Sequence, residues 1–320
     1  MTPPVRIGVL GCADIARRRM LPAMAASADT VPAAVASRDP EKAEATARPF
    51  GARPVHGYEE LLARDDIDAV YVPLPAALHE RWAEEALRAG KHVLAEKPLT
   101  LDPAATRRLL ALARADGLVL MENVMFVHHP QHERVRELVA CGAIGELRFL
   151  DAEFAIPSLS SQDIRLRPEL GGGALWDVGV YPVRAALHLL DEDPRLVGAA
   201  LVRSPGDQVA TGGSALLRTD SGVLARLAFG MRHAYRNSYT LWGSEGRITV
   251  DRVFTPPADH RPVVRLERAG GSEEFVLEAA DQATATLRAF AHAVRTGHHV
   301  DTDAPLRQAL LLDAIRRQAD

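Results

Sequence analysis

Over its first 121 residues the chain alternates short apolar runs with longer helical patterns. Small residues, glycines or prolines end several of the runs, as in the first segment of the chain and in residues 69–75. Alternating strands and helices of this length predict a parallel, doubly wound α/β sheet. Such a sheet binds ligands outside the carboxyl ends of its strands, so the residues that follow each strand are the first candidates for a site.

After about residue 122 the pattern changes to alternating apolar and polar residues, with glycine-containing turns between many of the segments. This pattern predicts a C-terminal α+β domain with a large, open, mainly antiparallel sheet. A helix over 171–190 is inserted in it, and two helices, at about 281–296 and 304–318, close the chain. We expect one domain over 1–121 and a second over 122–303, with the final helix (304–320) packing back onto the first. The apolar side of the open sheet predicts a homodimer or homotetramer.

Composition excludes several classes of function. The net charge of −4 gives no reason to expect a nucleic-acid or membrane partner. No run approaches the ~18–20 apolar residues of a membrane span, the two cysteines cannot form a disulfide framework, and no targeting segment precedes the first strand, so a cytoplasmic protein is expected. The histidines of "HHPQH" (128–132) lack the cysteine or acid spacing of a metal site, and Pro130 is expected to break any helix there. No metal is predicted.

The turn after the first predicted strand consists of small residues. Gly11, Ala13 and Ala16 stand where a dinucleotide fingerprint has Gly-x-Gly-x-x-Gly or Ala, so alanine replaces its second glycine. Backbone N–H groups at such a helix start can hold a phosphate. An ordinary strand–helix turn is the alternative. The candidate cofactor contacts here are Gly11, Cys12, Ala13, Asp14 and Ile15.

The end of the second predicted strand indicates which dinucleotide would bind. An NAD-binding domain usually has an acid there, which bonds the ribose 2′-hydroxyl. This chain has Ser37 and Arg38, with Asp39 one step beyond. A hydroxyl and a guanidinium suit a 2′-phosphate better than a bare ribose, so the sequence predicts NADP(H). The alternative is that Arg38 is one of many surface arginines.

Lys97 is one of only three lysines in the chain, and it follows an apolar run, 92–95, that predicts a buried strand. Its position between Glu96 and Pro98 puts it at the carboxyl end of the sheet, with the phosphate turn. A lysine ammonium there can hydrogen-bond a carbonyl oxygen and stabilise the alkoxide that forms when a hydride arrives. The alternative is a salt bridge with Glu96, although adjacent side chains on a strand point to opposite faces.

Three segments together carry a resemblance to a known family. They are "GVLGCADIA" at 8–16, "AGKHVLAEKPLT" at 89–100 and "GGGALWDVGVYPV" at 171–183. Along essentially its whole length the chain resembles the Gfo/Idh/MocA oxidoreductases, and Glu-Lys-Pro in its strand context is the most specific of the signals. Within that family, the N-terminal segment and Tyr181 are similar to the sugar 3-ketoreductases. These reduce a nucleotide-activated 3-keto-hexose in deoxysugar synthesis for antibiotics and other glycosylated natural products.

The resemblance implies that Lys97, Tyr181 and Asp177 carry the catalysis, with Lys97 beside the nicotinamide and the substrate. Most of the family has histidine in place of Tyr181, four residues after an acid that corresponds to Asp177. This spacing puts both side chains on one helical face, although Pro182 kinks the helix or marks its first turn. Tyrosine keeps a proton donor but raises its reference pKa from ~6.5 to ~10, so the donor is protonated at neutral pH. The alternative is that Tyr181 only packs in the helix.

Further contacts are implied along the cofactor and the substrate. Arg165, on the loop before the catalytic helix, could hold the substrate diphosphate or the cofactor, or could be a solvated loop arginine. His79 could equally be a plain helix N-terminal residue. The other residues expected along the cofactor are Tyr58, Leu74, Pro75, Glu96, Asn123 and Asp177. The residues expected at the substrate are Lys97, Glu122, Arg165 and Tyr181.

Three functions are open from the sequence alone. The favoured one is NADPH-dependent reduction of the C3 keto group of a nucleotide-linked deoxy-hexose, with dTDP as the expected nucleotide. The second is a dehydrogenase of free sugars, polyols or cyclic diols in the same family. The third is a non-catalytic NADP-binding regulator, against which the presence of both Lys97 and Tyr181 argues.

Overall fold

The computed structural model describes residues 3–297 and 302–319. By their contacts these residues form two compact units. The first unit extends to Val124 and also includes Ala283–Pro305, whereas the second comprises Met125–Gln282 and the residues from Leu306 onward. Among the described residues, no helix is both long and apolar enough to cross a bilayer.

The first unit is built on a six-stranded parallel sheet. Its strands are β1 (Val5–Leu10), β2 (Thr30–Ser37), β3 (Arg53–His56), β4 (Ala69–Val72), β5 (His92–Glu96) and β6 (Leu120–Asn123). They lie in the order β3-β2-β1-β4-β5-β6, so the winding direction reverses between β1 and β4. The crevice at such a reversal is where doubly wound sheets bind ligands. The predicted fold of this half is confirmed.

Helices connect these strands, and the sequence explains where two of them begin. The five helices are α1 (Leu21–Ala26, after a π-helical turn at Ala16–Met20), α2 (Pro40–Ala47), α3 (Tyr58–Leu62), α4 (His79–Arg88) and α5 (Pro103–Ala115). Asp39 and Asp102 are the N-caps of α2 and α5, and a proline follows each cap at the first helical position. The Asp39 carboxylate accepts from the N–H groups of Glu41 and Lys42 at 3.0 and 3.2 Å. It is therefore committed to the helix.

The second unit carries an eight-stranded sheet in the order β14-β13-β12-β11-β7-β10-β9-β8. Its elements are α6 (Pro130–Ala140), β7 (Leu147–Ala155), α7 (Val180–Leu189), β8 (Arg195–Val202), β9 (Gly212–Arg218), β10 (Leu224–Gly230), β11 (Arg236–Gly243), β12 (Gly246–Asp251), β13 (Val263–Arg268) and β14 (Gly271–Val276). All neighbours are antiparallel except β7 and β10, which are parallel. The predicted mainly antiparallel sheet is confirmed.

The two faces of this sheet differ. Helix α7 packs on β7 and β10, and alternate residues of β7, namely Leu150, Ala152 and Phe154, are buried. The residues between them face the other way, where Arg226 pairs with Asp151 at 2.7 Å and with Glu153 at 2.8 Å. On β11 the Trp242 side chain is 61% exposed. This second face is open in the unit as described, as the sequence predicts.

The last two helices, α8 (Gln282–Thr296) and α9 (Ala304–Ala319), differ from expectation in their placement. Helix α8 belongs almost entirely to the first unit, where Arg295 pairs with Asp29 at 2.7 Å. The final helix lies mainly with the second unit, where Gln308 accepts from Arg184 at 2.8 Å. The expectation that the final helix packs back onto the first domain is therefore corrected. Amphipathicity shows that a helix has a packing partner but does not identify that partner.

Two local features also differ from expectation. Strand β14 was not predicted, because it is largely polar and exposed and so lacks the alternation that identifies a strand. Pro130 does not break a helix but begins α6, a position at which the missing N–H costs nothing. The ring nitrogen Nδ1 of His129 caps that helix by accepting from the N–H of Gln131 at 3.2 Å.

Candidate active site

The turn after β1 has the conformation that a phosphate-binding turn requires. Gly11 has φ of +116°, and a Cβ there would lie 3.0 Å from Leu74 Cδ2 and 3.7 Å from the Tyr58 hydroxyl oxygen. Glycine is needed both for the backbone angle and for the space. Cys12 bonds the carbonyl of Lys42 through its thiol at 3.4 Å, and Asp14 pairs with Arg17 as the helix begins. The residues predicted along this turn thus lie where a helix start presents its N–H groups.

The end of β2 and the start of α3 form a corner with Ser37, Arg38 and Tyr58. Ser37 is buried and its hydroxyl accepts from the N–H of Asp39 at 3.1 Å, whereas Arg38 is exposed. Burial raises the pKa of Tyr58, and a hydrogen bond and charge from Arg38 act in the opposite direction. The Tyr58 ring packs edge-on against Trp82 with 4.8 Å between centroids. Tyr58 therefore lies between Arg38 and the Gly11 turn. These three residues, all predicted along the cofactor, are neighbours in the structure.

The loops that follow β4 and β5 are held by one histidine. His79 is the first residue of α4, as the alternative expects, and it is 1% exposed. Its Nε2 lies 2.7 Å from the carbonyl oxygen of Leu74, and its Nδ1 lies 2.7 Å from that of Pro98. Burial is the main cause that lowers the pKa of His79. Both ring nitrogens therefore face backbone oxygens, and the contact of His79 with a cofactor stays a prediction.

Glu96 and its neighbours form a buried polar group beneath Lys97. Glu96 is 8% exposed, and its Oε1 accepts from the Tyr71 hydroxyl and from the Asn123 amide, each at 2.6 Å. The amide oxygen of Asn123 is buried without a hydrogen-bond partner. On the same edge, Glu122 Oε1 accepts from the N–H of Leu99 at 2.8 Å. The turn that carries Lys97 is thus fixed on both sides, while Lys97 itself is half-buried.

In the second unit, Tyr181 lies in the first turn of α7, directly after a π-helical turn at Leu175–Gly179 that contains Asp177. Its ring packs against Phe154, Phe254 and Phe126, with centroids 4.9, 5.6 and 6.2 Å away. The ring is half-buried. Pro182 follows within the same first turn, which is one of the two outcomes that the sequence left open.

Asp177 has a charged neighbour on the preceding loop. Arg165 donates to both carboxylate oxygens of Asp163 at 2.9 and 2.8 Å, and its Nη1 lies 3.7 Å from Asp177. This guanidinium lowers the pKa of Asp163. Arg165 is therefore shared by two carboxylates, although 40% of its side chain is exposed. With two negative charges beside it, this arginine is a weaker anchor for a diphosphate than the sequence suggests.

The glycines that precede α7 let this loop close. A Cβ on Gly172 would lie 2.6 Å from the carbonyl oxygen of Arg165 and 2.7 Å from that of Arg167, too close for any side chain. The N–H groups of Gly172 and Gly173 donate to those same two carbonyls. The glycine run is therefore the reason that Arg165 can reach Asp177.

Several residues around Tyr181 were missed by sequence reasoning. Phe126, Phe154 and Phe254 come from three separate segments, and only Phe154 had a signal, because the alternation of β7 puts it on the inner face. Beyond Phe126 lie His132 and His188, with ring centroids 5.2 and 6.4 Å from it. Within the described residues, no group of three or more histidine, cysteine or acidic side chains is arranged to hold a metal.

These features define the chain as an oxidoreductase that joins a dinucleotide-binding fold to a sheet domain. Residues 5–124 match the oxidoreductase family with an NAD-binding Rossmann fold, and residues 132–249 match the GFO/IDH/MocA C-terminal domain. The chain belongs to the Gfo/Idh/MocA oxidoreductase family. The predicted family is confirmed.

Two characterised relatives are similar over nearly the whole chain. The dTDP-3,4-didehydro-2,6-dideoxy-alpha-D-glucose 3-reductase of Streptomyces violaceoruber is 56% identical, covering 98% of this chain and 95% of its own. KijD10, a 3-ketoreductase from Actinomadura kijaniata solved with NADP and TDP-benzene, is 53% identical, covers 98% of each chain and has a TM-score of 0.96. Variants of KijD10 with a lysine replaced by alanine or a tyrosine replaced by phenylalanine have TM-scores of 0.92 and 0.96, identities of 52% and 53%, and coverage of 98% of each chain.

Proposed function

We propose that this chain is an NADPH-dependent 3-ketoreductase that reduces the C3 keto group of a dTDP-linked deoxy-hexose. The observation that carries the proposal is similarity along 98% of the chain to a dTDP-sugar 3-reductase, across both structural units. The lysine and tyrosine that this mechanism needs are both present, as Lys97 and Tyr181. We assign the dinucleotide to the first unit and the sugar mainly to the second.

The residues of the first unit fit NADP(H). The Gly11 turn has the space and the backbone angle that a pyrophosphate needs. Arg38 and Ser37 suit the 2′-phosphate, and Asp39 does not compete because its carboxylate caps α2. At the other end of the crevice, the unpartnered amide oxygen of Asn123 suits the N–H₂ group of a nicotinamide carboxamide.

The chemistry needs a hydride, a proton and stabilisation of negative charge. When bound, NADPH supplies the hydride that adds to the C3 carbon. Lys97 donates a hydrogen bond to the keto oxygen and stabilises the charge that develops on it. Tyr181 gives that oxygen its proton, so the products are the sugar alcohol, NADP⁺ and a tyrosinate that solvent reprotonates. We assign Asp177 two supporting roles. It holds the N-terminal end of α7, and it keeps the surroundings of Lys97 and Tyr181 polar.

The direct test supplies dTDP-3,4-didehydro-2,6-dideoxyglucose, generated in place by its upstream enzymes, with deuterated NADPH. We expect NADPH oxidation and a product that carries deuterium on C3. The matched control is the same keto sugar without its nucleotide, which should react much more slowly. Turnover confined to free sugars or cyclic diols would instead support the dehydrogenase. NADPH binding without turnover of any of them would support the regulator.

We also propose that a second copy of the chain covers the open face of the eight-stranded sheet, giving a homodimer or homotetramer. Trp242 is 61% exposed on β11, and the ion pairs of Arg226 and Arg236 with Glu153 lie on strands beside it. An exposed tryptophan on a face that also carries charged side chains is typical of an interface. We expect Trp242→Glu to shift the species seen by light scattering to the monomer. Val31→Glu, at an exposed apolar residue of the first unit, should leave the assembly intact; a monomeric wild type would contradict the proposal.

A further inference from the structure

His79 lies between two backbone carbonyls, and a single neutral tautomer of its ring can donate to only one of them. The ring is buried at the start of α4 and lies between the loops that follow β4 and β5. Nε2 is 2.7 Å from the carbonyl oxygen of Leu74, and Nδ1 is 2.7 Å from the carbonyl oxygen of Pro98. Each distance is that of a good hydrogen bond.

A neutral imidazole has one N–H and one lone pair, so it can donate to only one of two carbonyls. The imidazolium donates to both, but burial and the charge of Lys97 oppose the charged ring, while Glu96 and the two carbonyls favour it. In the neutral ring, one loop is bonded and the other carbonyl faces a lone pair at close range. The two loops therefore compete for one proton.

Each loop leads to a different part of the candidate site. Leu74 packs on the dinucleotide turn, since its Cδ2 would be 3.0 Å from a Cβ on Gly11. Pro98 directly follows Lys97, so a bond to its carbonyl fixes the backbone that carries the catalytic amine. One side chain thus touches both the cofactor-binding loop and the lysine turn.

We propose that His79 is a positioning residue with two separable functions, one for each neutral tautomer: with its proton on Nε2 it holds the Leu74 loop for the dinucleotide, and with its proton on Nδ1 it holds the Lys97–Pro98 turn for catalysis. This inference rests on the proposed function only for its catalytic half. The cofactor half and the position of Lys97 can be measured without any sugar substrate.

Two near-isosteric variants separate the functions. His79→Asn places an amide N–H₂ near Nδ1 and keeps the bond to Pro98, whereas His79→Gln places it near Nε2 and keeps the bond to Leu74. Losing one such bond changes an equilibrium by up to about tenfold. For His79→Asn we expect the NADPH dissociation constant to rise by up to about tenfold with kcat nearly unchanged. For His79→Gln we expect the reverse, a lower kcat with nearly unchanged NADPH affinity.

The scarcity of lysine gives a readout that does not depend on activity. Amine acetylation followed by peptide mass spectrometry reports Lys97 against the exposed Lys42 in the same molecule. The labelling ratio of Lys97 to Lys42 should change in His79→Gln and stay at the wild-type value in His79→Asn. The matched controls are His92→Asn and His92→Gln, at the opposite end of β5, where the ring accepts from the N–H of Val119. Neither His92 variant should change NADPH affinity without changing the labelling ratio of Lys97 to Lys42, or the reverse.

The proposal is overturned if both His79 variants change NADPH affinity and Lys97 labelling together, in proportion to a loss of Tm, because a merely structural histidine would act in that way. It is also overturned if neither variant changes either quantity. A failure of the proposed function has a different signature. In that case the wild-type chain does not reduce the dTDP-linked keto sugar, while NADPH titration and lysine labelling still test the two functions of His79.

Discussion

The two units hold their candidate residues in different ways. In the first unit, polar side chains contact the backbone of the loops they position: Glu122 accepts from the N–H of Leu99, and His79 lies at hydrogen-bond distance from the carbonyls of Leu74 and Pro98. In the second, Tyr181 is held by the rings of three phenylalanines. The first arrangement depends on donors and acceptors, and the second depends on filled volume.

This difference determines how each half should fail. Losing one neutral hydrogen bond typically costs about 0.5–1.5 kcal/mol, unless a buried partner is left unsatisfied. Truncating a buried phenylalanine costs about 3–5 kcal/mol, because a cavity remains. Substitutions in the first unit should therefore alter binding with little loss of fold, whereas those around Tyr181 should lower stability as well.

The substitution with the largest expected effect is Tyr181→Phe, which removes only the hydroxyl group and leaves the aromatic ring in place. Tyr181→Phe keeps the ring that packs on Phe154 and Phe254, so stability and NADPH affinity should be nearly unchanged. Loss of a general acid typically lowers turnover by ~10²–10⁴-fold. Steady-state turnover with the dTDP-linked keto sugar, beside an NADPH titration, measures this. Tyr235→Phe, at a half-exposed tyrosine of the same unit, is the control.

Lys97→Ala should be damaging on a similar scale, about 10²–10³-fold for a lost oxyanion donor. The double variant should be much less than multiplicative, because the two groups act as a unit. Near wild-type turnover of Tyr181→Phe would show that another group or a water donates the proton. Asp177, four residues before Tyr181, would then be the next candidate, and Tyr181 would have only a packing role.

The second prediction tests volume in place of chemistry. Phe126 is fully buried between Tyr181 on one side and His132 on the other. Phe126→Ala should lower the free energy of unfolding by about 3–5 kcal/mol and reduce turnover, while NADPH affinity is retained. Urea unfolding and NADPH titration measure the two quantities. Phe275→Ala, at a half-exposed phenylalanine of β14, should lower the free energy of unfolding far less. Equal losses in the two variants would contradict the importance of the three phenylalanine rings around Tyr181.

The sequence predicts the first half of the site better than the second for a physical reason. Ser37 ends a strand of the parallel sheet, and Gly11, Arg38 and Lys97 each directly follow one, so strand periodicity alone brings them to one edge. The phenylalanines around Tyr181 come from three segments whose neighbours depend on tertiary packing, which no local pattern specifies. The same limit explains α8 and α9: their apolar faces were evident, but not which unit each face covers.

The third prediction uses pH to test the burial of His128, two residues after Phe126 in the chain. Burial, with the charge of Arg184, lowers the pKa of His128 to about 4 from 6.5. The unfolded chain therefore takes up a proton near pH 6.5 that the folded chain refuses until about pH 4. The stability that depends on the neutral ring is complete above the unfolded pKa and is lost as the pH falls across this window, by about 3 kcal/mol in total.

Urea unfolding at neutral and mildly acidic pH measures that loss. His128→Gln removes the titrating group, so the difference in unfolding free energy between the two pH values should shrink. His56→Gln, at an exposed histidine of the first unit, should leave the difference unchanged. If His128→Gln also leaves it unchanged, the ring is protonated in the folded chain and its burial does not act as described.

The smallest effect is expected at Arg38, in the exposed corner of the first unit. There the choice between the two dinucleotides depends on charge and not on packed volume. Arg38 and Ser37 stand where NAD-binding domains have an acid, and Asp39 is committed to capping α2. NADPH should therefore bind more tightly than NADH, and Arg38→Ala should remove most of that preference. A charged hydrogen bond of this kind is worth about 1.5–3 kcal/mol, roughly tenfold to a hundredfold in the ratio of the two dissociation constants. Stability should not change, because the side chain is exposed. Arg107→Ala, on the surface of α5, is the matched control. Equal affinity of the wild-type chain for both dinucleotides would show that Arg38 is only a surface arginine. The polar residues of the first unit would then not determine which dinucleotide binds, and the two units would differ only in how they hold their candidate residues.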